Sequence, residues 1–271
     1  MSAEPPRLAG ERAARALRHE LGLGFAPVDI WDVLRRRGVC VALHDFGADG
    51  GDGLYLWQGG EKGGIPLVVI NSAKRASRQR FTAAHELGHH ELHRFAGADV
   101  VIADEETGGS DGDEQEVAAN TFAAYLLAPS EDLREWFRDL GSQQVTPSKV
   151  VGLMRRYGLS YQAVAYRLCN SGLIRQRKLE ELLTTGEGQI DRLAKQQGFS
   201  ESMIFPAPSV VPDQLRQGAI LLYQRFVITE ARLAEILELS IEQALEAVRD
   251  SGMERPSEPP VDEQAVKELL G

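Results

Sequence analysis

Cysteine is nearly absent: Cys40 and Cys169 are the two in 271 residues. Two cysteines cannot make a disulfide framework, and neither lies in a CxxC pair, so both are read as small reduced core residues. Long apolar runs are missing too. None approaches the length needed to span a bilayer, and residues 1–7 lack the apolar centre of a signal peptide, so no membrane partner is expected and the cytoplasm is the expected location. Positive charge is in deficit. Thirty Lys and Arg face forty Asp and Glu, for a formal net charge of −10. Such a surface repels phosphate as a whole, which argues against non-specific nucleic-acid binding but leaves room for a local basic patch. No internal repeat is visible.

The 43% hydrophobic content suffices for one large core or two small ones. Residues 8–22 read as a helix with Leu8, Ala14, Leu17 and Leu21 near one face, and a second helix starts near Pro27 and ends at Arg37-Gly38. Three strands are expected over 39–46, 53–58 and 65–71, joined by Gly-rich links. Ser77 can cap a following helix. Residues 95–112 read as a loop long enough to act as a lid. A helix over 113–128 follows and stops before Pro129. Ser130 can cap the next one, and the chain is helical beyond it, at about 147–157, 160–171, 176–184, 188–197, 212–225, 229–238 and 240–251. The proline-containing 200–212 reads as a linker, and 257–260 marks a break before a short terminal helix. The expected organisation is a core over 1–140, a basic helical extension over 141–199 and a helical C-terminal domain over 200–271.

The helix after the third strand carries His85-Glu86-Leu87-Gly88-His89, an HExxH motif. One helical turn puts His85 and His89 on one face, close enough to share a metal ion, with Glu86 beside them to take a proton from water. A catalytic zinc usually takes a third protein ligand. His93 lies on the same helix but is rotated about 80° from His85, which suits a shared ion poorly. The HExxHxxGxxH spacing is absent, since position 92 is Leu and position 95 is Phe. A carboxylate from the 113–128 helix remains. Asp113, Glu114 and Glu116 lie near its start, and Glu116 shares a face with Asn120, so Glu116 leads and its neighbours stay open.

The run Arg80-Phe81-Thr82-Ala83-Ala84-His85-Glu86-Leu87-Gly88-His89 is followed by Glu116, Ala119, Asn120, Phe122, Ala123, Leu126, Leu127 and Pro129. This pairing of motifs resembles the ImmA/IrrE metallo-endopeptidases over about residues 8–175. Ala83 stands where that family often has Leu, and Ala128 where Met is common. The resemblance implies an α+β fold: a helix-rich, gluzincin-like peptidase core with a small three-stranded sheet, then an all-helical C-terminal part. It implies His85, His89 and Glu116 as zinc ligands (manganese being the other ion the set would accept) and Glu86 as general base. It also implies a protein substrate, a helix-turn-helix repressor of the Xre type, and a link to transcription regulation or stress response. Asn120 is a hydrogen bonder near the metal. His90, His93 and Tyr125 are candidates for an oxyanion donor, with a packed aromatic the competing reading of Tyr125.

Between Gly141 and Leu179 no Asp or Glu occurs, while Lys149, Arg155, Arg156 and Arg167 do. Residues 150–168 read as helix-turn-helix, with Tyr161, Gln162 and Tyr166 on its second helix. DNA or partner contact through 141–179 is one reading, and a helical cover for the core is the other. A second helix-turn-helix pattern over 229–251 exposes mostly acids, which suits helix packing or partner docking. The alternative to a peptidase is a DNA- or partner-binding regulator with a vestigial or structural zinc site. An intact Glu86 beside intact ligands favours the enzyme, because a structural site needs no base.

Overall fold

Alternating and continuous apolar runs do what their periods dictate and pair into one sheet. A computed structural model describes residues 4–58, 64–93, 99–103, 114–141, 144–200, 203–204, 207–208 and 210–252. Strands β1 (Cys40–His44), β2 (Gly53–Gln58), β3 (Leu67–Asn71) and β4 (Asp99–Ala103) form a mixed sheet in the order β1-β3-β2-β4. β1 runs parallel to β3, while β2 is antiparallel to both β3 and β4. The three expected strands are present, and β4 is a fourth. It corrects part of the span read as a loop; the rest of 95–112, and with it the lid reading, lies outside the described residues. Val41, Val68 and Tyr55 are in register across the sheet and all are buried.

The chain divides into two compact units, residues 1–34 with 39–210 and residues 35–38 with 211–271. In the first, helix α1 (Pro6–Glu20) packs on α4 (Glu114–Leu127), and α4 packs on α3 (Ala76–His93), which also lies against β2 and β3. Two glycines set these approaches. A Cβ on Gly10 would sit 2.2 Å from the Ala118 carbonyl oxygen, and one on Gly88 would sit 3.1 Å from Ala119 Cα. Both helix pairs are therefore closer than a larger side chain would permit.

Helices α5 (Ser130–Asp139), α6 (Pro147–Tyr157), α7 (Tyr161–Asn170), α8 (Gln176–Leu183) and α9 (Glu187–Gln196) extend this unit, and Val150, Leu153, Leu168 and Leu182 share the core with the sheet. The expected serine caps differ from what forms. α3 starts at Ala76, which places Ser77 inside its first turn, and α5 starts at Ser130 itself, whose hydroxyl accepts from Arg167. Val210 bridges Val41 and the Ala207 N–H donates to Gln79 Oε1, so part of the span read as a linker belongs to this unit.

The second unit holds α10 (Asp213–Gln224), α11 (Glu230–Leu237) and α12 (Ile241–Asp250) around Ile220, Tyr223, Leu233 and Leu237. Ser240 and Gln243 form a reciprocal capping box at the start of α12. The terminal break and short helix expected after residue 256 lie outside the described residues.

Buried charges in the first unit are matched by hydrogen-bonding partners. Arg18 donates to the carbonyls of Gly24, Ala26 and Leu126, where it satisfies the C-terminal end of α4. Asp132 accepts from Arg156 through both oxygens and from the Tyr157 hydroxyl at 2.6 Å. Burial works to raise its pKa, but Arg156 and Tyr157 outweigh burial and hold it below the ordinary carboxylate range.

Gly10→Ala is expected to lower unfolding stability by about 1–3 kcal/mol in urea titration, because backbone must move. Gly188→Ala, exposed on α9 with nothing within 4 Å of the added carbon, is expected to be neutral or to stabilise by up to about 1 kcal/mol. For Asp132 the folded pKa is the lower one, so its contribution is present above the unfolded value of about 3.9 and is lost as pH falls below it. Asp132→Asn should therefore destabilise the chain at neutral pH and flatten its loss of stability on acidification.

Candidate metal centre

α3 is a helix whose middle is wholly buried, and the HExxH lies in that middle. His85 and His89 are one turn apart, their Nε2 atoms 3.0 Å from each other. The first turn of α4 brings Glu116 across, with Oε2 3.2 Å from His85 Nε2 and Oε1 3.2 Å from His89 Nε2. The three residues are a group able to hold a metal ion. Ligand atoms about 2.0 Å from a tetrahedral zinc stand about 3.3 Å apart, close to these separations, and the His, His, carboxylate donor set leaves a fourth position for water.

The outer nitrogens of the two imidazoles are also occupied. His85 Nδ1 lies 3.1 Å from Asn120 Oδ1. An amide oxygen only accepts, so His85 carries its proton on Nδ1 and turns the Nε2 lone pair toward Glu116 and His89. His89 Nδ1 lies 3.0 Å from His93 Nδ1, so one of these two rings donates to the other and the second imidazole is also held from behind. Asn120 and His93 thus stand directly behind the two histidines.

Glu86 is 1% exposed and sits on the sheet side of α3. A Cβ on Gly53, the first residue of β2, would meet Thr82 Cγ2 at 2.6 Å and Glu86 Oε1 at 3.4 Å, so only glycine lets the strand pass this close. Asn71 holds the turn that leads into β2. Its Nδ2 donates to the carbonyls of Gly47 and Gly51, and its Oδ1 accepts from the N–H groups of Phe46 and Ala73. Neither Gly53 nor Asn71 was singled out by sequence reading. A glycine opening a strand was the available signal for the first.

The other sequence candidates lie apart from this group. His90 points to the sheet, where its Nδ1 is 2.8 Å from the buried Tyr55 hydroxyl. Tyr125 is nine residues beyond Glu116, two and a half turns along α4 and so on the opposite side. Its hydroxyl donates to Glu131 at 2.6 Å, while Arg15 and Arg167 flank its ring. This is the packed-aromatic reading of Tyr125.

The four basic residues of this stretch are placed differently: Arg167 is turned inward, Lys149 is half-buried, and Arg155 and Arg156 are exposed. Arg167 is 8% exposed and donates to the Ala128 carbonyl and the Ser130 hydroxyl, and Arg156 is paired with Asp132. Arg155 and Lys149 donate to the carbonyls of Gln197 and Gln144. Tyr161, expected on a recognition helix, is buried and donates to Thr185.

A family model described as the IrrE N-terminal-like domain, peptidase family M78, matches residues 34–169, half of the chain. The match contains His85, Glu86, His89, Glu116 and Asn120. No curated protein matches the chain.

Asn120→Ala should weaken metal affinity about 10- to 100-fold, measured by competition with a chromophoric chelator, because the His85 ring loses its fixed tautomer. Tyr125→Phe should leave that affinity unchanged.

Proposed function

From the premise that this chain belongs to the IrrE N-terminal-like family of metallopeptidases, we propose that it is a zinc-dependent endopeptidase that cuts a regulatory protein in the cytoplasm. The substrate class is a helix-turn-helix repressor of the Xre type, whose loss would switch on stress or mobile-element genes. The observation that carries this reading is the convergence of His85, His89 and Glu116 from two helices, with Glu86 one residue away on the same helix. Among the described residues no helix is long and apolar enough to cross a membrane, which fits a substrate in solution.

His85, His89 and Glu116 would hold the ion, zinc by preference and manganese as the other occupant the donors accept. Bound there, the ion would supply a Lewis acid that makes water a nucleophile near neutral pH and polarises the scissile carbonyl. Glu86 takes the proton of the attacking water and returns it to the leaving amine. Its burial between α3 and β2 keeps the carboxylate in one place through both transfers. Asn120 holds the His85 imidazole in the tautomer that presents a lone pair, and His93 braces the His89 ring from behind.

Glu86→Gln should retain one metal ion per chain by elemental analysis while cleavage falls at least about a hundredfold. The assay incubates the zinc-loaded chain with a helix-turn-helix repressor of the Xre type, one encoded beside it where the genome has one, and follows fragments by mass spectrometry. Cleavage by Glu86→Gln at the wild-type rate would sink the mechanism. Metal binding with no cleavage by the wild type would favour the regulator alternative.

A further inference from the structure

The surface beside Glu116 is not flat. A groove of about 740 Å³ runs from Glu116 and Asn120 along the outer face of α4, with the start of α1 on one side and α7 on the other. Its apolar wall is drawn from four helices: Leu8, Phe81, Val117, Ala124, Ala163 and Tyr166. Leu8 is 55% and Tyr166 50% exposed, although both are large and apolar enough for a core. Solvent-facing apolar side chains gathered around one concavity mark a binding surface rather than scattered exposure.

Two observations indicate what fits there. First, the groove does not end as a small-molecule pocket would. Ser77, Arg78, Ser160 and Gln162 line both it and a second basin of about 790 Å³ that reaches α8 and α9 and carries Lys74, Arg75, Glu187 and Asp191. Second, Gln162 and Asn170 line the first basin. A carboxamide offers one acceptor and a pair of donors, the complement of the N–H and C=O that an extended chain must satisfy when it leaves water.

We infer that this trough is the seat of the substrate polypeptide: residues beside the cut, large and apolar, lie between Leu8, Phe81 and Tyr166, and charged residues farther along lie over the second basin. The inference rests on the peptidase reading for the word substrate, but its geometry is independent of catalysis. The chain recognises an extended apolar segment, of the kind a repressor exposes in a linker or a partly opened helix. Specificity then comes from side chains outside the metal site, and Glu116 marks where the trough meets the chemistry.

The test separates binding from cleavage. The zinc-loaded Glu86→Gln chain is titrated into a fluorescein-labelled nonapeptide with leucine and phenylalanine at its central positions and lysine at both ends. The same peptide with serine at those positions is titrated in parallel, and anisotropy is read for both. The apolar peptide should bind at least about tenfold more tightly. Ala163→Trp, which fills the groove from α7, should remove that preference, and Tyr166→Ser, an exposed site that leaves folding intact, should weaken it severalfold. Leu222→Ser on α10 should change nothing. Equal binding of the two peptides, or a preference untouched by both groove variants, would overturn the inference. Selective binding by a protein whose wild type cuts nothing would leave the groove standing and remove the peptidase reading instead.

Discussion

The close passage of α3 and α4 at Gly88 is the constraint from which the rest of the candidate site follows. Two imidazoles one turn apart can be arranged by any helix. A carboxylate within 3.2 Å of both requires a second helix whose axis comes unusually near, and Gly88 against Ala119 allows this. Gly10 against Ala118 repeats the device on the other side, so α4 is held between α1 and α3 with little freedom to slide. The glycine inside the HExxH is therefore a packing residue, although its two flanking histidines draw the chemical attention. Metal-ligand geometry and helix packing are here one problem, since any displacement of α4 moves Glu116 and Asn120 together.

The legibility of the sequence was uneven, and the reasons are physical. Helix α3, strands β1 to β3 and the ladder of C-terminal helices were legible from hydrophobic period together with Gly-rich links and turn residues. Glu116 was reachable because Glu116 and Asn120 repeat at helical spacing, and because the second motif travels with the first. β4 was not legible: its residues sit between glycines and acids, and its pairing with β2 is a tertiary event. Ser77 and Ser130 have the chemistry of caps, but the helices begin at or before them, and the Ser130 hydroxyl accepts from Arg167 instead. Gly53 and Asn71 escaped notice because their value lies in what approaches them from elsewhere in the chain.

The basic stretch shows the same lesson for charge. Counting Lys and Arg between 141 and 179 suggests a surface that attracts phosphate. In the fold, Arg167 satisfies the carbonyl of Ala128 and the Ser130 hydroxyl, and Arg156 neutralises Asp132. Guanidinium groups serve this purpose well because five donors in a rigid fork can meet several acceptors at once. Arg18 does the same at the end of α4. Part of the positive charge of this stretch thus stitches helices together, while Arg155, Arg156, Arg175 and Arg177 stay at the surface.

That the candidate metal donors come from two helices separated in the chain has a thermodynamic side. An unfolded chain cannot hold His85, His89 and Glu116 together, so an ion bound to them is bound to the native state alone. By mass action such a ligand adds about 2.7 kcal/mol to native stability at a free concentration a hundred times its dissociation constant. The opening of α4 away from α3 is suppressed by the same factor. Cellular metal supply would then govern how long each copy survives proteolytic turnover, making abundance, besides turnover rate, a function of the ion.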